Sequence, residues 1–182
     1  MMFVLCHAKI RHYPRLFVSF QHIDLPGERH VRMCADTDCA ATDLIALMEP
    51  DAVLTKEEGG RPYLMRDGRR IACSLSHTDG LNVAVVSRLV DVGVDTERAD
   101  RRVPVSLVER MRHPEDDHPY DAITTWILKE AVLKATGAGL RGGMRHVRLG
   151  ADGARWKGIE FGVICIDHGP HRIGLAIRIT SS

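Results

Sequence analysis

A chain of 182 residues is long enough for one domain of ordinary size, or for two small halves sharing a core, and too short for two large independent domains. Hydrophobic residues make up 45% of it and charged residues 27%, which excludes a disordered, collagen-like or disulfide-dense chain. With 25 Lys and Arg against 24 Asp and Glu, the formal charge is +1, so a strongly basic duplex-binding surface is excluded and no nucleic-acid partner is expected.

The N-terminal apolar run from Met1 to Leu5 is interrupted by Cys6-His7-Ala8-Lys9, too soon for a signal-peptide core or a membrane span, so no membrane partner is expected. Five scattered cysteines, Cys6, Cys34, Cys39, Cys73 and Cys165, do not form a secreted disulfide framework and point to a cytoplasmic location. Cys34 and Cys39 with nearby His30 do not match structural zinc spacing. Without a repeat, charge block or linker, residues 1–182 are expected to form one compact unit.

In chain order, strands are predicted at Met2 to Leu5 and Leu16 to Phe20, and a helix over Asp38 to Met48 ended by Pro50. Ile71 to Ser76 and Leu81 to Ser87 read as a hairpin around Thr78-Asp79-Gly80. Val92 to Glu97 follows as a strand, with Val92, Val94 and Thr96 on one face and Asp95 with Glu97 on the other. A short helix is predicted over Pro104 to Met111 and a long one over Asp121 to Thr136, stopping at Gly137. Strands at Ile159 to Ile166 and Arg172 to Thr180 close a mixed α and β chain.

Asp95 and Glu97 are hard-oxygen ligands about 7 Å apart along a strand, a gap their side chains can close around one cation. In the long helix Glu130 and Lys134 share a face, and Trp126, Ile127 and Ala131 place Glu130 beside the apolar stripe. If Asp95, Glu97 and Glu130 converge, each like-charged pair near 4 Å repels by about 4 kcal/mol at an effective dielectric of roughly 20, which a divalent cation reverses. Three carboxylates therefore predict Mg²⁺, and Lys134 adds a phosphate-binding charge, so the set describes a pyrophosphate site. Arg61, Ser76 and His77 supply further phosphate-binding groups upstream.

The order Gly60-Arg61-Pro62, Leu75-Ser76-His77-Thr78, Val92-Gly93-Val94-Asp95-Thr96-Glu97 and Trp126-Ile127-Leu128-Lys129-Glu130-Ala131-Val132-Leu133-Lys134 resembles the 4'-phosphopantetheinyl transferases of the surfactin-synthetase (Sfp) type. Gly174-Leu175-Ala176-Ile177 is similar to that family's closing strand. The resemblance implies an α+β fold of two similar halves, roughly 1–90 and 91–182, with the active site at their seam. It implies Mg²⁺-dependent transfer of phosphopantetheine from coenzyme A to a serine of an apo acyl or peptidyl carrier protein, releasing adenosine 3',5'-bisphosphate. Asp95, Glu97 and Glu130 are then the metal ligands, Glu130 also a base directly or through water, and Lys134, Arg61, Ser76 and His77 contact coenzyme A. A monomer is expected from the fused halves.

The carrier usually presents an acidic helix, which Arg101, Arg102, Arg110 and Arg112 with Leu107, Val108 and Met111 would complement. The chain departs from the family pattern at Cys73-Ser74, where Phe-Asn is usual, and at Thr96 and Ile127. Its N-terminal third is short and lacks the arginine-bearing helix for the 3'-phosphate; Arg29 and Arg32 are not assigned to the site. That leaves a non-catalytic protein of the same fold, binding coenzyme A or a carrier protein, as the alternative.

Overall fold

Apolar side chains on both faces of a strand require cover on both faces, and the last strand of each half is of this kind, Leu81-Asn-Val-Ala-Val-Val-Ser in one and His171-Arg-Ile-Gly-Leu-Ala-Ile in the other. The computed structural model describes residues 4–10, 15–21, 31–151 and 153–179. Its strands and helices are β1 (Val4–Ile10), β2 (Arg15–Gln21), β3 (Val31–Asp36), α1 (Ala41–Met48), β4 (Val53–Lys56), β5 (Pro62–Arg66), β6 (Arg69–Thr78) and β7 (Leu81–Ser87), followed by β8 (Val92–Arg98), α2 (Val105–Met111), α3 (Ala122–Thr136), β9 (Val147–Gly150), β10 (Gly153–Trp156), β11 (Ile159–His168) and β12 (His171–Arg178).

Two antiparallel sheets result, ordered β1-β2-β3-β7-β6-β5-β4 and β8-β12-β11-β10-β9. The class is α+β, and the halves repeat one another. In each, a strand leads to a helix, a pair of short strands and a long hairpin whose last strand returns beside the first. β1 and β2 extend the first sheet beyond this shared plan.

The sheets pack face to face. Met33, Val83 and Val85 from the first meet Val94, Ile173 and Leu175 from the second in a shared core. The outer faces take the helices: Leu44, Ile45 and Met48 of α1 cover Cys73, Ala84 and Val86, while Ile127, Leu128 and Ala131 of α3 cover Phe161 and Ala176. The order of layers is helix, sheet, sheet, helix. Among the described residues, no helix is long and apolar enough to cross a membrane.

β8 is an edge strand, so half of its backbone N–H groups point away from β12. Two of these are satisfied by hydroxyls of the other half: Val94 N donates to Ser74 Oγ at 3.1 Å and Thr96 N to Ser76 Oγ at 3.3 Å. The halves are thus joined by hydrogen bonds as well as by apolar packing.

The hairpin over β6 and β7 turns at Asp79-Gly80, with Gly80 at φ +74°. The first helix starts later than the predicted Asp38, because the Asp36 carboxylate accepts the N–H groups of Asp38 and Cys39 at 2.8 and 3.0 Å and holds a turn there. Strands β3, β4, β5, β9 and β10 go beyond the predicted elements; all five have only four to six residues. β1 begins at Val4 and runs through Cys6 to Lys9, the segment that interrupts the apolar run. Met2 and Thr180, the outer bounds of two predicted strands, lie outside the described residues.

α3 is bounded as its sequence requires. Asp121 caps it by accepting Thr124 N at 2.8 Å, and Gly137 ends it at φ +74°. It reaches the sheet closely because its neighbours lack side chains: a Cβ at Gly93 would stand 2.0 Å from Ala131 O, and one at Gly174 2.9 Å from Ile127 O. Gly93→Ala should therefore force α3 off β8 and destabilise the protein by about 3 kcal/mol or more, read as a lowered urea midpoint.

Candidate active site at the seam of the two halves

The strand period turns Asp95 and Glu97 out of the shared core, on the side where α3 packs. Asp95 is 4% exposed. Its Oδ1 accepts Lys134 Nζ at 2.7 Å and Ser76 Oγ at 2.8 Å, while Lys134 Nζ also reaches Ser76 Oγ at 3.0 Å and Leu75 O at 3.4 Å. Lys134 thus pairs with Asp95 inside the second half and reaches Ser76 and Leu75 across the seam, leaving Glu130, one turn back on α3, against the same aspartate. Burial first, then the charge of Asp95, raises the Glu130 carboxyl to about 7, with Lys134 partly offsetting the rise.

Asp95 Oδ2 is buried and receives no N–H or hydroxyl donor, while the Glu130 carboxyl shares its proton with Asp95. The contrast with Glu49, another fully buried acid, is informative. Both Glu49 oxygens are engaged, by Arg32 and Arg88 on one and by Arg66 and Arg88 on the other. A buried acid kept only for stability is compensated in this way, whereas a bare oxygen beside a second carboxyl invites a proton or a cation.

Glu97 is directed elsewhere. One oxygen contacts the Arg101 guanidinium, and the other accepts Thr78 Oγ1 at 3.4 Å. Among the described residues no group of three His, Cys, Asp or Glu side chains is gathered for a metal ion. Of the expected ligands, then, Asp95 and Glu130 are brought together and Glu97 is held by Arg101.

Arg61 crosses to the second half, pairing with Asp91 at 2.5 Å and packing on Gly137. With Lys134, Ser74 and Gly139 it lines a cleft of about 210 Å³ between the halves. Cys73 lines the same cleft, where burial pushes its thiol up to about 12 and so keeps it protonated near neutral pH. Ser76 is buried, with its proton given to Asp95, so it positions the aspartate rather than facing a ligand. His77 alternates to the opposite face of β6 and is exposed. Arg32 stands level with Cys73, three residues back along β6 from Ser76, and is committed to Glu49; Arg29 and His30 lie outside the described residues.

Three residues take roles that the sequence reading did not assign to them. Ser74 caps the edge of β8, and its signal was the alternation Ser74-x-Ser76, which places both hydroxyls on one strand face. Lys129, five residues before Lys134 and so about 140° around the helix, belongs to a different face. It is fully buried, donating to Asp116 Oδ2 at 2.6 Å and Met111 O at 2.8 Å, and it ties the segment after α2 to α3. Arg101, expected to face a carrier protein, is the third and is joined to Glu97. Beside α2, Arg110, Arg112 and Arg145 line an open groove of about 830 Å³ with Leu107, Met144 and Trp126, in the region where the arginines were expected to face a partner.

No protein-family model matches the chain, and a search of the curated proteins finds no match either.

Because native Glu130 keeps its proton to about 7 while an unfolded glutamate loses it near 4.5, the native state binds more protons in that window and loses stability as pH rises through it. Glu130→Gln should remove this loss. In EDTA its urea midpoint, relative to the native protein, should therefore be higher at pH 8 than at pH 4.

Proposed function

We propose that this protein is a 4'-phosphopantetheinyl transferase of the surfactin-synthetase type, moving the phosphopantetheine arm of coenzyme A onto a serine of an apo acyl or peptidyl carrier protein. The observation that carries the reading is the approach of Asp95 and Glu130, from different elements of the second half, beside Lys134 and a cleft shared with the first half. The ordered motifs that resemble the family supply these same residues.

The donor set fits Mg²⁺. Asp95 offers a bare, buried carboxylate oxygen, and Glu130 offers a second hard oxygen whose ionisation is held back by that neighbour. Asp95 and Glu130 would hold the ion, with Glu97 as the third expected ligand. Bound there, it would supply charge neutralisation for the diphosphate of coenzyme A.

The chain's own residues do the rest. Ser76 fixes the Asp95 carboxylate through its hydroxyl. Glu130 takes the proton of the carrier serine, directly or through water, as the serine oxygen bonds to the phosphorus next to pantetheine. The bond from that phosphorus to the bridging oxygen breaks, and adenosine 3',5'-bisphosphate leaves with the developing charge facing Lys134. Arg61, on the first-half wall of the cleft, adds a second cation for the bound coenzyme A. The arginine-lined groove beside α2 is the docking face for the acidic carrier.

Incubation with coenzyme A, Mg²⁺ and a panel of apo carrier proteins should add one phosphopantetheine to the carrier, read by intact mass. Glu130→Gln and Lys134→Ala should each lower kcat/KM by about 10²-fold. A folded native protein that modifies no carrier in the panel overturns the assignment. Because an ion must displace the Glu130 proton, Mg²⁺ affinity measured by calorimetry should rise with pH up to about 7 and flatten above it.

A further inference from the structure

Glu97 is held by a side chain at a carboxylate oxygen that a cation could also use. Its carboxylate is 16% exposed and touches the Arg101 guanidinium, four residues on. That guanidinium also lies 5.7 Å over the Trp126 ring. Trp126 is one turn before Glu130 on α3, so Arg101 bridges Glu97 to the helix that carries the other acid. A cation on Glu97 and a guanidinium on Glu97 compete for the same lone pairs.

We infer that Arg101 is an internal counter-ion for Glu97 that a divalent cation must displace, so that metal entry and release of the guanidinium from Trp126 are one exchange. The inference rests on the transferase reading only for the identity of the metal ligands. Arg101 is thereby a positioning residue: it occupies a Glu97 carboxylate oxygen that the ion would need. Its neighbour Arg102 is also exposed and carries the same charge without holding Glu97, which makes it the internal control.

The test is Mn²⁺ binding by the full chain, followed by electron paramagnetic resonance of the free ion, in the native protein, Arg101→Met and Arg102→Met. Arg101→Met should tighten binding about fivefold, the scale of one partly exposed ion pair, while Arg102→Met should change it by less than about twofold. Mg²⁺ should alter tryptophan emission more in the native protein than in Arg101→Met, where only the contact of Trp126 with Glu130 is left to report the ion. Equal tightening in both variants reduces the effect to the general field of nearby cations and overturns the exchange, as does no tightening in either. Absence of Mn²⁺ binding in all three proteins overturns the metal assignment itself, whereas ordinary native binding unaffected by Arg101→Met overturns only the exchange.

Discussion

The contact on which the arrangement depends is between two strands that do not share a sheet. β6 lays Ser74 and Ser76 along the free edge of β8, supplying oxygens to backbone N–H groups that would otherwise be buried without partners. The same Ser76 hydroxyl donates a hydrogen bond to Asp95 and accepts one from Lys134, so one side chain links first half, second half and α3. The seam that holds the halves together is therefore also the place where charge is concentrated.

That concentration is not neutralised evenly. Asp95 spends one oxygen on Lys134 and Ser76 and leaves the other bare, and Glu130 is pressed against it in a half-buried position. Below about pH 7 two carboxyls so placed share a proton, the smallest cation available, and a metal ion would take its place. Glu49 shows that the fold can satisfy a buried acid fully, since three arginines surround it. The incomplete compensation at Asp95 is thus a local property and not a general looseness of the core.

The duplicated topology accounts for why the site lies where it does. Each half uses its first and last strands for the shared core and its helix to cover the opposite face. α3 is long and buried on several sides, and its close approach over Gly93 and Gly174 brings Glu130 and Lys134 down to β8. α1 is shorter and carries no comparable pair of charges; its half contributes serines and Arg61 instead. The division of labour between equivalent layers gives the cleft one wall from each half.

Much of this was legible in the residues themselves. Period-2 spacing put Asp95 and Glu97 on the face opposite Val92 and Val94, and the cap residues Asp121 and Gly137 bounded the helix that bears Glu130 and Lys134. Short strands such as β9 and β10 were not legible, because four residues give too little alternation to rise above a loop. Local sequence determined which face each acid takes and which helix carries its partners, because those follow from backbone periodicity alone. Only the tertiary structure decided that Lys134 pairs with Asp95 rather than Glu130, that Ser76 serves the seam and that Arg101 takes Glu97. Those choices depend on distances between segments far apart in the chain or on competition among charges around them, and no local period encodes either.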